Sequence, residues 1–276
     1  MSEANAQQVA YWNESAGPTW ADLQAPLDRQ LAPLGRRAMA ELDLSSGQRV
    51  LDIGCGAGET TLQLAHSGAE VLGVDISHVL LDVARRRVRD TNLARFLEAD
   101  AQTYPFEPAS FDAVFSRFGV MFFADPEAAF ANIRRAMKPG GRMAFVCWRT
   151  PAENPIMSLP MMAALAHVDS PPPPPEPGAP GPFAFADPER VKAILASAGF
   201  QDVAVTPHEQ DIGPGDLDTT VGLALKVGPL GALLRENPGQ RDAVIAAVRA
   251  ALAPQVGPEG VKLGSSTWIV TAVSPA

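Results

Sequence analysis

Residues 50–65, VLDIGCGAGETTLQLA, set Gly54, Gly56 and Gly58 between an apolar run and a run of helical character. A strand that ends in Gly-x-Gly-x-Gly and passes straight into a helix leaves backbone N–H groups uncovered by any Cβ, so a ligand can approach the main chain. The bare pattern also fits a tight turn that binds nothing. The dinucleotide fingerprint G-x-G-x-x-G is not met, because Gly58 comes one residue early. Asp52, two residues before the first glycine, suits a ligand that carries a cation such as an α-ammonium group.

Outward from this turn the chain alternates. RVLDIG, EVLGVD, ARFLEAD, FDAVFSRF and GRMAFVCW are apolar runs of strand length separated by polar or helical segments. Such alternation predicts parallel βαβ units in a doubly wound sheet. Asp75 ends the second strand about 20 residues beyond the glycines, where α/β sites place the carboxylate that holds a ribose diol. Asp100 follows the third strand. Each acid alone reads as a helix cap. Three in succession lie on the edge where open α/β sheets bind ligands.

The helices carry their own punctuation. ADPEAAFANIRRAMKPGG starts on Asp125 as cap with Pro126 in the first turn, and FADPERVKAILASAGF on Asp187 with Pro188 and Gly199 as terminator. Residues 1–47 read as helical and amphipathic, with an interruption expected at Pro33. The proline-rich RTPAENPIMSLPMM and SPPPPPEPGAPGPF read as a surface connector or a wall over a pocket, since residues 171–175 are all proline. QDVAVTPHEQDI and SSTWIVTAV are further strands, and residues 216–253 read as two helical stretches.

Composition narrows the function. With 276 residues, of which 46% are hydrophobic and 19% charged, the chain can bury a large core. A net charge of −9 argues against clamping a nucleic-acid backbone. No run reaches the ~18 apolar residues that span a bilayer, and MSEANAQQVAYWNES lacks the pattern of a signal peptide. Cys55 and Cys147 are too few for a disulfide framework or a cysteine metal site, so a cytoplasmic protein is expected.

Taken in order, VLDIGCGAGETT, GVDIS, EADAQTYPF, FDAVFSRFGVMFFAD and RRAMKPGGRMAFV resemble the successive motifs of class I S-adenosylmethionine-dependent methyltransferases, nearest to the ubiquinone- and menaquinone-type branch. The resemblance covers residues 45–150. It implies a Rossmann-like, mostly parallel seven-stranded sheet and S-adenosylmethionine as cofactor, with S-adenosylhomocysteine as product. It places the cofactor's amino-acid end against Gly54 and Gly56 and its ribose on Asp75. It also puts adenine against Asp100 and Ala101, and the sulfonium near Ser116. Trp20, Asp52, Cys55 and Ile76 complete the expected cofactor-binding set. The division that follows is an N-terminal helical lid over 1–44, a core over 45–212 and 263–276, and an inserted helical cap over 213–262.

The implied reaction is methyl transfer to a small organic molecule by in-line displacement, driven by positioning and desolvation. Alignment of reactants supplies up to ~7–11 kcal/mol. A binding protein that uses S-adenosylmethionine without methyl transfer is the alternative, and a nucleotide-dependent oxidoreductase is disfavoured by the early Gly58. Candidate catalytic residues are few. Arg117 either binds a substrate carboxylate or pairs with a neighbouring acid, and His208 faces the substrate only if it points inward. His66, His78 and His167 read as surface or helix-end residues. Tyr11, Trp12 and Trp20 suit a lid, with Gly17-Pro18 as hinge, whereas Phe122 and Phe123 suit packing. Cys55 reads as a small residue in a tight space. Glu209, Asp211, Asp216 and Asp218 read as a solvated loop, so no metal is expected. The expected partners are a methyl acceptor and at most a second copy of the chain, with no nucleic acid and no membrane span.

Overall fold

A computed structural model describes residues 5–89, 91–168, 176 and 178–275. The chain begins with α1 (Ala6–Ala10), a π-helical turn over Tyr11–Ser15, α2 (Ala16–Asp22) and α3 (Gln24–Met39). Pro33 lies inside α3 without ending it, contrary to the expected interruption. The helix is held from outside: Leu27, Leu31, Leu34 and Ala38 are buried, and α3 lies against the sheet. Tertiary burial outweighs one missing backbone hydrogen bond here.

The alternating region follows as β1 (Arg49–Ile53), α4 (Glu59–Ala65), β2 (Glu70–Asp75), α5 (His78–Arg87), β3 (Ala94–Glu98), β4 (Phe111–Arg117), α6 (Pro126–Ala136) and β5 (Met137–Trp148). Asp125 caps α6 by accepting from the Ala128 N–H, with Pro126 at the first position. The next helix, α7 (Pro155–Leu165), falls in the stretch read as a surface connector or a wall over a pocket; it is regular helix rather than connector, and its Met157 and Met161 line a cavity. Pro155 occupies the first turn, where a missing N–H costs nothing, and Pro160 is buried within the helix. Residues 171–175, expected as connector or pocket wall, lie outside the described residues.

Beyond them come α8 (Pro188–Ser197), capped by Asp187, and β6 (Gln201–Gly215). Residues 216–253 form three helices rather than two: α9 (Leu217–Ala224), α10 (Gly228–Glu236) and α11 (Arg241–Leu252). The two-residue β7 (Val256–Gly257) and β8 (Gly260–Val273) complete the chain.

The strands stand in the order β3-β2-β1-β4-β5-β8-β6, with β7 paired to β8. β1 to β5 are mutually parallel, and β8 runs antiparallel to both β5 and β6. The core is the expected doubly wound α/β sheet. Its strand order reverses between β1 and β4, which opens a crevice at their carboxyl ends. Fully buried Phe115 of β4, Phe130 of α6 and Phe145 of β5 form part of the core where that helix meets the sheet. Among the described residues no single helix is long and apolar enough to cross a membrane.

Candidate cofactor and acceptor site

The carboxyl ends of β1 to β4 open into a cavity of about 1000 Å3. The three glycines of the turn meet different neighbours. A Cβ on Gly54 would stand 2.7 Å from the Cα of Gly119, and one on Gly58 would stand 2.7 Å from Phe96 and 2.8 Å from Ala84. Those two glycines answer to the protein's own packing. A Cβ on Gly56 would find nothing nearer than a Leu80 methyl at 3.9 Å, and Gly56 lines the cavity. All three have positive φ.

Asp75 stands in the cavity wall and braces the turn, accepting from the Gly56 N–H at 2.7 Å and the Ser77 N–H at 2.8 Å. Burial raises its carboxyl above the ordinary range, and those backbone donors oppose the shift. Asp100, 3% exposed, accepts from the Asn5 side-chain amide and the Gln102 N–H, each at 2.9 Å. Gly54, Cys55, Ile76, Ala101 and Trp20 also line the cavity. Burial pushes the Cys55 thiol well above its ordinary value, so it is held as a neutral, small residue.

Four of the candidate residues stand outside the open wall or are already paired. Asp52 is fully buried and is not part of the wall; one of its carboxylate oxygens accepts from the Thr60 and Thr61 hydroxyls, each at 2.7 Å. It thus ties β1 to α4 beneath the turn. Burial pushes its pKa up to about 6, against the lowering effect of those hydroxyls. Ser116 is 1% exposed and also outside the wall. Its Oγ donates to the Ile53 carbonyl at 2.8 Å and accepts from the Gly119 N–H at 3.2 Å, stitching β4 to the turn. His208 lies on β6 opposite Thr267, bonded to Gln210 and away from the cavity. Arg117 does line the cavity, yet it is paired with Glu59 and, at 3.6 Å, with Asp28.

The acids read as one solvated loop are also dispersed. Glu209 and Asp211 lie on β6, Asp216 caps α9 by accepting from the Thr219 N–H, and Asp218 pairs with Arg249.

The sequence pattern missed much of the cavity's roof. The Asn13 amide donates to the Ile76 carbonyl at 3.0 Å and accepts from the His78 N–H at 2.9 Å, clasping the loop behind Asp75. Asn5 accepts from the Ala124 N–H at 3.0 Å while donating to Asp100. Gln8 lines the cavity with a buried Oε1 that has no hydrogen-bond partner among the described residues. Trp12 meets Trp20 and Phe122 edge-to-face at 5.4 and 5.2 Å, and both tryptophans line the cavity. Opposite them, Phe118 stacks on Trp148 at 4.2 Å with planes 8° apart. Phe118 has φ +61°, a left-handed backbone rare for an aromatic residue and frequent at functional sites. Met157 and Met161 of α7, Leu223 of α9, and Leu230 and Leu233 of α10 form the remaining apolar side. Among the signals left unread, Gly119 two residues past the end of β4 was the plainest, because a glycine there allows the close approach to Gly54.

A family model described as a methyltransferase domain matches residues 51–145. The chain is 30% identical over 233 residues to O-methyltransferase cnsE of Penicillium expansum, covering 83% of this chain and 77% of that protein. It is 35% identical over 178 residues to the demethylmenaquinone methyltransferase of Thermus thermophilus, covering 60% of this chain and 80% of that enzyme. Its fold is similar to Haemonchus contortus phosphoethanolamine N-methyltransferase 2 solved in complex with S-adenosyl-L-methionine. There the TM-score is 0.55 at 22% identity, over 88% of this chain and 53% of that one. With this sheet order, this glycine turn and these relatives, the chain belongs to the class I S-adenosylmethionine-dependent methyltransferases.

Proposed function

We propose that the chain transfers a methyl group to a small, uncharged and largely apolar organic acceptor by in-line displacement. The observation that carries this reading is the two-sided cavity. Gly56, Asp75 and Asp100 stand on its sheet edge, while Phe118, Trp148, Met157, Met161 and Leu233 supply apolar wall. The family's cofactor, when bound, supplies an electrophilic methyl group on a cationic sulfur.

The chain's own groups fit that cofactor. Gly56 leaves its main chain open to the cavity, and the Asp75 oxygens, which accept the Gly56 and Ser77 N–H groups, keep lone pairs for a pair of vicinal hydroxyls. Asp100 and Ala101 lie beside them as the surface for a base, and the buried Gln8 Oε1 offers a further acceptor. In this reading residues 5–22 are the lid, whose Trp12 and Trp20 exclude water. The helices α9 and α10, within the 213–262 insertion, are the cap over the acceptor.

Charge supports the acceptor class. Arg117 is the one cationic side chain among the described wall residues, and it is paired. No histidine, lysine or tyrosine stands among the described residues of the wall, so the rate rests on alignment and on a dry cavity. The test is to measure S-adenosylhomocysteine formed from S-adenosylmethionine with neutral aromatic and aliphatic alcohols, thiols and amines, beside their carboxylate and phosphate counterparts. Turnover with neutral acceptors is expected. Turnover confined to the charged counterparts overturns the acceptor class.

A further inference from the structure

We infer that Asp28 masks Arg117 and is a specificity-determining residue that keeps anionic acceptors out of the cavity. The inference rests on the reading of the apolar side as the acceptor chamber. A guanidinium beside an apolar cavity is a strong trap for a carboxylate, because its planar fork makes two charge-assisted hydrogen bonds at once. Here that fork is occupied from within. Glu59, the first residue of α4, takes one terminal nitrogen of Arg117, and Asp28 of α3 stands 3.6 Å from the other. The Arg117, Asp28 and Glu59 side chains are only 12%, 17% and 11% exposed, and Arg117 and Asp28 both stand in the cavity wall.

The arrangement is built around Arg117. Gly35 gives the side chain its room on α3, since a Cβ there would lie 3.0 Å from the Arg117 Cδ. Asp28 is fixed from its other side by Arg87 at 2.9 Å and by the Gln24 amide. Arg87 in turn donates to the Ala57 carbonyl inside the glycine turn at 2.8 Å. Two carboxylates therefore balance two guanidiniums, and the cluster presents no net charge to the cavity. Buried pairs of this kind contribute little net stability against apolar replacements, but removing one partner exposes the other as an unpaired charge. Without the Asp28 carboxylate, Arg117 regains a free edge toward the cavity.

The experiment compares a matched pair of probes, 2-naphthylmethanol and 2-naphthoate, by equilibrium dialysis against the full chain with S-adenosylhomocysteine present. Wild-type protein is expected to bind the alcohol at least ~10-fold more tightly than the carboxylate, because the carboxylate is desolvated with no cation to receive it. Asp28→Asn keeps shape and removes charge, and it is expected to tighten 2-naphthoate by about 10-fold or more while changing 2-naphthylmethanol little. The double variant Asp28→Asn/Arg117→Met is expected to lose that gain. Glu59→Gln serves as a second unmasking variant should Asp28→Asn melt too low to assay, and the wild-type preference stands as a measurement by itself.

Equal wild-type affinity for the two probes overturns the mask. So does an unchanged preference in folded Asp28→Asn, or a gain that survives loss of Arg117. If neither probe binds while calorimetry shows the cofactor bound, the acceptor chamber itself is wrong and the mask falls with it. If both bind without discrimination, the chamber stands and only the mask is removed.

Discussion

The Ser77 hydroxyl donates to the Trp12 carbonyl at 2.8 Å, joining the N-terminal π-helical turn directly to the loop behind Asp75. Gly17 closes on the same carbonyl so tightly that a Cβ there would stand 1.9 Å from the oxygen. Together with the clasp of Asn13 on residues 76 and 78, this makes the cover over the cavity and the Asp75 loop one mechanical unit.

Asn13→Ala removes both halves of that clasp while leaving the sheet untouched. Each lost hydrogen bond is worth about 0.5–1.5 kcal/mol, so affinity for S-adenosylmethionine should fall by about 5- to 150-fold. Calorimetric titration reads the affinity, and a thermal melt without ligand should shift only slightly. Normal affinity in a variant whose N-terminal segment has become protease-sensitive would show that the cover plays no part in cofactor capture.

The three glycines of the turn should separate by phenotype. Gly54→Ala and Gly58→Ala drive a methyl group into the Gly119 backbone or the Phe96 and Ala84 side chains, and each should cost about 3 kcal/mol or more in stability. Gly56→Ala meets no such neighbour and carries only the left-handed backbone cost of about 1–2 kcal/mol. Gly56→Val should instead abolish cofactor binding in a folded protein, as read by circular dichroism beside calorimetry. Wild-type affinity in folded Gly56→Val removes the turn from the cofactor site.

Asp75→Ala removes a carboxylate that lines the cavity and braces Gly56 and Ser77. Charge-assisted hydrogen bonds are worth about 1.5–3 kcal/mol, so cofactor affinity should drop at least ~10-fold. Asp75→Asn, which can still accept one backbone N–H, should fall between the variant and wild type. An unchanged calorimetric constant for the alanine variant would refute the ribose assignment.

Asp52 sets a pH dependence of stability. Its folded-state pKa, pushed up to about 6 by burial, lies above the ordinary value of 3.8, so between these values the folded chain holds a proton that the unfolded chain has lost. The stabilising contribution is complete below about pH 4, declines as pH rises through 6, and is absent at pH 7. Asp52→Asn does not titrate. Its stability relative to wild type should therefore improve between pH 4 and pH 7 by up to about 3 kcal/mol. Urea melts of both proteins across that range supply the comparison. A constant difference between them would show that Asp52 does not titrate in this window.

What the sequence determined by itself is local or periodic. The strand EVLGVD spans β2 residue for residue, and Asp125 and Asp187 cap their helices as read, because alternation and capping act over a few residues. The glycine turn and the acids Asp75 and Asp100 were legible as a group. In a parallel sheet, successive strand ends necessarily share one edge. Tertiary structure decided what each of those residues touches. Asp52 turned inward to Thr60 and Thr61, Ser116 became a stitch to Ile53, and His208 fell on an edge strand away from the cavity. Arg117 was left open between acceptor and ion pair. Only the arrival of Asp28, far away in the chain, filled its second edge. The same distance hid the clasp of Asn13 on Ile76 and the helix through Pro155 and Pro160, whose turns are held by partners that local propensity does not encode.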